Sequence, residues 1–371
     1  MQLMPNHPTE LLSSFVAELT STASLVPLDQ KTEVAFVEGP KSARLDARLL
    51  MRLPIGDEIE IAVEVMRTAY PRDVRLAMQQ LLSYKEVRQG SSSDLVLCVV
   101  ADYISPGSRD LLKEAGICYY DSTGSMYFVH HTYLIVKESG PKRRQSRRAS
   151  QVFSGAREQV VHALLVHWQQ AHFPEDAYIS GAELADLAQT STYTVSLTMQ
   201  ALEREDLVES SGRGPYQRRR LSNAAGLLDA WAAEWVSRNE EVTRWYAYSP
   251  RSNPMDMVMA SFNGHHGWAV TGAAAANIVA PYLTAVERVQ VIVPPGCGVP
   301  WGKEMDFKQV DKGANIVMVE REGASLMFRD EHPDKPGSRF ASRFIQYLDL
   351  LDGYGRNKEL AEEFRHQVLK M

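Results

Sequence analysis

Apolar residues along the first 140 positions fall into short runs bounded by glycine, proline and polar clusters. The runs at 34–37, 45–53, 59–65, 95–100, 117–120, 126–129 and 133–136 predict strands. Two stretches change period. Residues 71–84 predict a helix, with Pro71 suited to its first turn and Val74, Met78, Leu81 and Leu82 on one face. Residues 106–115 predict another, stopped by Gly116. Strands alternating with helices give an α/β domain over residues 1–140.

The next segment has helical period. Residues 156–171 carry Val160, Val161, Leu164, Leu165 and Trp168 on one side. Ser180-Gly-Ala-Glu183 is a capping box that opens a short helix with Leu184, Leu187 and Ala188 inward. After a break at Thr190 and Ser191, residues 192–204 predict a third helix. Val195, Met199 and Leu202 face inward there, and Tyr193, Thr194, Ser196 and Gln200 outward. Two short runs around Ser211-Gly-Arg-Gly-Pro215 then predict a β-hairpin. Three helices and a basic hairpin are the sequence image of a winged helix-turn-helix over residues 155–223.

Residues 224–371 predict an α+β domain. A helix at 227–245 sets Trp231 and Trp235 one turn apart, and further helices are expected at 255–262, 342–351 and 357–369. Strands are expected at 289–293, 316–320 and 325–328, with small residues around a helix start between Gly267 and Asn277. The whole is an α/β multi-domain chain.

Composition narrows the function classes. The 371 residues are 44% hydrophobic and 23% charged with a net charge of −6, so net charge alone cannot hold the chain on nucleic acid. Residues 141–223 are the net-positive part, with 11 basic and 9 acidic groups. They begin in Lys142-Arg-Arg-Gln-Ser-Arg-Arg148, which reads as an exposed linker over residues 141–154. Three cysteines without a CxxC pair argue against a disulfide framework and against a cysteine-based zinc site, and fit a reducing cytoplasm. The first residues lack the basic start and apolar run of a signal peptide. The longest apolar stretch, 16 residues interrupted by Pro281, is too short for a bilayer.

Candidate chemistry follows from these segments. Tyr193, Thr194, Ser196 and Gln200 suit the reading of base edges in double-stranded DNA. Arg213, Arg218, Arg219 and Arg220 of the hairpin, and Arg143, Arg144, Arg147 and Arg148 of the linker, suit phosphates. A winged helix used only for protein contacts is the plainer alternative. No phosphate-binding loop or serine nucleophile elbow occurs. The pairs His130-His131 and His265-His266 are adjacent, so neither pair is expected to converge on a metal. Asp349 and Asp352 are expected in solvent. No metal, cofactor or catalytic residue is assigned.

Two resemblances add expectations. Asp46 in a strand, Ile61-Ala-Val-Glu64-Val-Met66 in the next, and a helix carrying Gln79-Gln-Leu-Leu-Ser-Tyr84 resemble the PD-(D/E)xK nuclease fold. That resemblance implies a metal site at Asp46 and Glu64, with Gln79 from the helix. The lysine position is Met66, which cannot carry charge, so a degenerate nuclease domain is expected, with a working metal-dependent nuclease as the alternative. The strings Trp268-Ala-Val-Thr-Gly-Ala-Ala-Ala-Ala276 and Gln346-Tyr-Leu-Asp-Leu-Leu-Asp-Gly-Tyr-Gly-Arg356 look like the AbiEi-type antitoxin and transcriptional regulator family of type IV toxin–antitoxin systems. The second resemblance implies a bacterial DNA-binding regulator of its own operon. It also implies antagonism of a nucleotidyltransferase toxin without a stable complex.

Overall fold

The computed structural model describes residues 7–38, 41–88, 94–131, 133–137, 150–171, 176–248, 253–332 and 335–371. The chain forms two compact units, residues 1–149 with 202–206, and residues 150–201 with 207–371. Its described part is mixed α/β, with two seven-stranded mixed sheets and one three-stranded sheet.

In the first unit the strands β1 (Val26–Glu38), β2 (Lys41–Arg52), β3 (Glu58–Ala69), β4 (Asp94–Ile104), β5 (Cys118–Asp121), β6 (Met126–His130) and β7 (Tyr133–Lys137) lie in chain order. Pairing is parallel from β3 through β5 and antiparallel elsewhere. Strand alternation divides β3: Ile59, Ile61 and Val63 enter one core, Ala62 and Met66 the other. The first core is capped by α1 (His7–Ala23), a helix absent from the sequence expectation. Its Leu11, Leu12, Phe15 and Leu19 recur at helical spacing and are buried. The opposite face is covered by α2 (Pro71–Val87), with α3 (Pro106–Glu114) following β4. The inward face of α2 is Val74, Ala77, Leu81 and Tyr84, whereas Leu82, expected inward, is exposed.

The second unit begins with α4 (Gly155–Gln170), α5 (Gly181–Leu187) and all but the last three residues of α6 (Thr192–Arg204). The sheet β8 (Ile179–Ser180), β9 (Val208–Ser211) and β10 (Arg218–Leu221) has β10 in its centre, antiparallel to both neighbours. The capping box at Ser180 and Glu183 is formed in both directions. Helix α4 is not one-sided: Glu158 and His162 are buried along with its apolar residues.

Next come α7 (Ala224–Val236), β11 (Val242–Tyr246), α8 (Pro254–Ser261), β12 (Ala269–Thr271), α9 (Gly272–Val279), β13 (Val289–Val293), α10 (Gly298–Glu304), β14 (Lys308–Gln309), β15 (Ile316–Glu320), β16 (Asp330–His332), β17 (Lys335–Phe340), α11 (Arg343–Leu350) and α12 (Asn357–Phe364). The sheet order is β14-β11-β15-β13-β12-β17-β16. Two expectations fail here. The helix placed over 227–245 ends at Val236, because Val242–Tyr246 pairs with β15 and β14 instead. The strand placed at 325–328 is a 3-10 turn at Gly323–Leu326 whose Ala324 carbonyl meets His162 Nδ1 at 2.9 Å.

Asp349, expected in solvent, is buried. It receives Thr271 Oγ1 at 2.6 Å, Trp235 Nε1 at 3.0 Å and Arg321 Nη1 at 2.8 Å. Arg321 is held on its other side by Glu240, at 2.7 Å. Breaking a buried pair from one side strands the remaining charge, at about 3–5 kcal/mol. Asp349→Ala is expected to lower unfolding free energy by that order in denaturant titration, while Asp352→Ala, which loses an exposed pair with Arg288 and the acceptor of the Tyr354 N–H and the Asn357 amide, costs only about 1 kcal/mol.

Candidate functional site

Two groupings of polar residues carry the candidate chemistry, one in each unit. In the first, β3 presents Glu60 and Glu64 to the side covered by α2, and both are buried. Their surroundings differ. Glu60 accepts Tyr84 Oη at 2.7 Å and Arg88 Nη2 at 2.6 Å, with Arg48 Nη1 3.9 Å away. Glu64 faces Asp46 and no cation among the described residues, and Gln80 Nε2 donates to it at 3.0 Å.

Asp46 reaches this place through an irregularity in β2. Leu45 and Ala47 are two residues apart, yet Leu45 enters the α2-side core and Ala47 the α1-side core. A regular strand would put both on one face. Between the pairings Thr32↔Ala47 and Val34↔Leu45, Glu33 takes a left-handed φ of +54°. Asp46 Oδ2 then accepts the Val65 backbone N–H at 2.7 Å, a position ordinarily filled by a ladder carbonyl.

Burial, and then the charge of Asp46, push the Glu64 carboxyl up to about 8. Two carboxyls sharing a site without a cation can hold one proton between them or accept a divalent ion. The structure brings Asp46 and Glu64 together as expected. It does not bring Gln79, which is exposed; Gln80 takes that role. The reason is helical phase, since Gln80 lies three residues after Ala77 and four before Tyr84, on the inward face. Met66 is half-buried in the α2-side core, and Arg67 is exposed. No ammonium group therefore comes from the position after Glu64 that the nuclease pattern uses.

In α6, Val195, Met199 and Leu202 are buried. Ser191 starts that helix by accepting the Thr194 N–H at 3.1 Å. Of the four expected base readers, Tyr193 is 72% exposed and Gln200 is exposed. Thr194 and Ser196 are half-buried and already engaged: Thr194 Oγ1 lies 2.9 Å from Ser191 Oγ, and Ser196 Oγ receives Gln200 Nε2 at 3.3 Å.

The hairpin pairs Arg218↔Ser211 and Arg220↔Glu209. Arg213 and Arg218 are exposed, and Arg219 donates to Gln217 Oε1 at 3.2 Å. Arg220 departs from the expectation. Its Nε and Nη2 donate to Glu209 Oε2 at 3.1 and 2.8 Å, and its guanidinium lies 5.5 Å from the Tyr178 ring centre. Glu209 sits one residue before the acid-free stretch and neutralises the last arginine in it. At the tip, Gly212 has φ +80°, and a Cβ there would meet the Tyr216 carbonyl at 2.6 Å. That turn leaves Tyr216, which sequence reasoning passed over, 86% exposed. Arg143, Arg144, Arg147 and Arg148 lie outside the described residues.

The adjacent histidines correct another expectation. His130, His131 and Asp94 bring one ligand atom each to within 4.8 Å of one another. Histidines in one regular strand would point apart. His131, however, begins the turn after the His130↔Tyr133 pair and has φ +41°, which swings its ring to the same side.

No family model matches the chain, and no curated protein is similar to it. Among solved structures, EndoMS in a dsDNA complex is 21% identical over 38% of this chain and 49% of its own, with a TM-score of 0.23. EndoMS in its apo form is 18% identical over 38% of this chain and 50% of its own, at 0.22. A repair endonuclease from Pyrococcus abyssi is 14% identical over 33% and 48%, at 0.20. The chain spans about half the length of these structures, and at such scores the likeness carries no argument. No helix among the described residues is long and apolar enough to cross a membrane.

The pair at Asp46 and Glu64 has a pH signature. The folded carboxyl of Glu64 at about 8 lies above its ordinary 4.5, so the folded chain binds the extra proton. That stability is fully present below about 4.5 and is lost as pH rises through about 8. Glu64→Gln is expected to remove roughly 2–4 kcal/mol of this pH dependence, read from denaturant midpoints at pH 5 and pH 8.5. An unchanged slope would place the proton elsewhere.

Proposed function

We propose that the protein is a sequence-specific DNA-binding regulator that reads operator DNA with Thr192–Arg204 and holds its backbone with the hairpin at 208–221, as a winged helix-turn-helix. The observation that carries this reading is the exposed polar face of the helix, with Tyr193 and Gln200 and no acid before Glu203, in the same segment as a hairpin rich in arginine. An uncharged helix face can approach base edges without repelling phosphates, and guanidinium groups beside it supply sequence-independent attraction. The order helix, short strand, two helices, then two strands supports the same assignment.

The AbiEi-type resemblance supports regulation of the protein's own operon, and with it antagonism of a nucleotidyltransferase toxin without a stable complex. Its two motif segments meet in the second unit, where Thr271 donates to Asp349 at 2.6 Å. The first domain serves this regulator as a non-catalytic module, because Met66 supplies no charge beside the carboxyls.

Each arginine that meets a phosphate contributes about 0.9 to the slope of log K against log salt. Arg213→Ala and Arg218→Ala are each expected to flatten that slope by about 1, whereas Arg220→Ala, held by Glu209, flattens it far less. Gln200→Ala should relax preference at one base pair with the slope unchanged. Fluorescence anisotropy on genome-selected and scrambled duplexes across a salt series reads all four values, and a flat salt response would remove the hairpin from the interface.

One observation favours a second reading, a metal-dependent nuclease: the Asp46 and Glu64 carboxyls share a site without a cation among the described residues. Plasmid nicking in Mg²⁺ that disappears in Glu64→Ala would establish it. The regulator reading expects no nicking above background in either protein.

A further inference from the structure

We propose that Asp94, His130 and His131 form a binding site for a divalent transition ion of the zinc class, held by His130 Nε2, His131 Nε2 and Asp94 Oδ2 and open to water at its fourth position. The site lies in the first unit, where the β6–β7 hairpin turns beside the start of β4.

Three observations carry it. The first is spacing. Asp94 Oδ2 stands 3.1 Å from His131 Nε2 and 3.4 Å from His130 Nε2. Ligands around a tetrahedral ion with bonds of about 2.0–2.1 Å stand about 3.3 Å apart along each edge. Both separations match that edge.

The second is an unsatisfied group. The His130 side chain is only 8% exposed, and neither of its ring nitrogens has a hydrogen-bond partner among the described residues. Its Nε2 is close enough to Asp94 for a bond but not aligned for one. A plain hydrogen bond to Asp94 accounts for His131 and leaves His130 unexplained. Buried imidazole nitrogens in proteins find a donor, an acceptor or a metal. An ion between the three groups uses the lone pair that the protein leaves idle.

The third is backbone geometry. The left-handed φ of +41° at His131 is uncommon for a residue with a side chain. It brings neighbouring rings to centroids 4.5 Å apart at 79°, with a nitrogen of each ring and a carboxylate oxygen of Asp94 all within 4.8 Å of one another. The ligand set selects the ion. Two imidazoles and one carboxylate suit zinc, cobalt or nickel, and suit magnesium poorly. The side chains of His131 and Asp94 are 70% and 59% exposed, which gives an ion a path in. Once bound, it would tie the hairpin at His130 to the first residue of β4.

The test uses the full chain, purified without a histidine tag and stripped with chelator. Zinc chloride is titrated by calorimetry, and cobalt chloride by visible absorption, whose d–d bands report coordination directly. One ion per chain is expected, with excess Mg²⁺ unable to displace it. Because both side chains are exposed, His131→Ala and Asp94→Asn should leave the fold intact, checked by circular dichroism. Each is expected to weaken zinc binding at least about tenfold and to abolish the cobalt bands. Absence of stoichiometric binding overturns the proposal. So does binding that is unchanged in either variant, which would assign the ion to other histidines of the chain.

Discussion

The second unit depends on one buried cation. Arg321 has little exposed surface and is gripped by Asp349 on one side and Glu240 on the other. An unpaired guanidinium at this depth would be intolerable, so these acids must be where they are. Their partners extend the constraint. Asp349 also takes the indole N–H of Trp235, and Trp231, one helical turn earlier, donates to Glu158 at 2.7 Å. Glu158 lies in the first turn of α4, the helix that precedes α5 and α6, and Arg238 bonds both Glu158 and the Phe153 carbonyl. A chain of charge and indole contacts thus runs from the sheet at β15 through α7 to α4. His162 continues it. Its Nε2 lies 2.6 Å from Ser342 Oγ, and burial holds its imidazole down at about 4, neutral at physiological pH. Residues 150–201 and the C-terminal sheet are therefore one compact body rather than two beads on a string, which is how they cluster.

The first unit shows how one strand face can assign two fates to the same residue type. Glu60 and Glu64 are four residues apart on β3, both buried, both turned toward α2. The helix decides between them. Tyr84 and Arg88 stand over Glu60 and supply a hydrogen bond and a charge. One turn earlier, Gln80 offers Glu64 only a neutral amide, and the change of face in β2 between Leu45 and Ala47 aims Asp46 at it. A matched acid is structural. An acid matched only by another acid holds a proton or waits for an ion, and such groups concentrate where proteins do chemistry or once did.

Much of this architecture is legible in the sequence, and the failures have particular causes. Strands of the first sheet appear because each is an apolar run closed by a turn, and Pro71, Gly116 and the Ser180 capping box mark helix ends through local chemistry alone. The core of α6 is read from three residues at helical spacing. Elements fixed by distant partners are not legible. Val242–Tyr246 continues an apolar helical pattern until β15 and β14 claim it as a strand. Asp349 looks like a solvated helix-end acid until Arg321, 28 residues earlier, is folded against it. In the candidate sites the residue types were readable and their orientation was not. Helical phase separates Gln80 from Gln79, a change of face within β2 aims Asp46, and one left-handed residue lets two adjacent histidines face the same way.

The same distinction between composition and placement governs the basic hairpin. A chain of net charge −6 repels a polyanion at long range, yet charges act over about 8 Å at physiological ionic strength. What matters at the surface of DNA is the local set of groups. Counting arginines from Ser210 to Asn223 gives four; pairing removes one, because Glu209 sits directly across the ladder from Arg220. That pair is better understood as framework. It locks β10 to β9 at the base of the hairpin and sets Arg220 near Tyr178, which precedes β8. A rigid base lets the turn at Gly212 hold Arg213 and Tyr216 outward, which under the proposed DNA-binding reading limits the chain entropy lost on binding. In the proposed interface, one arginine withdrawn from phosphate preorganises the others.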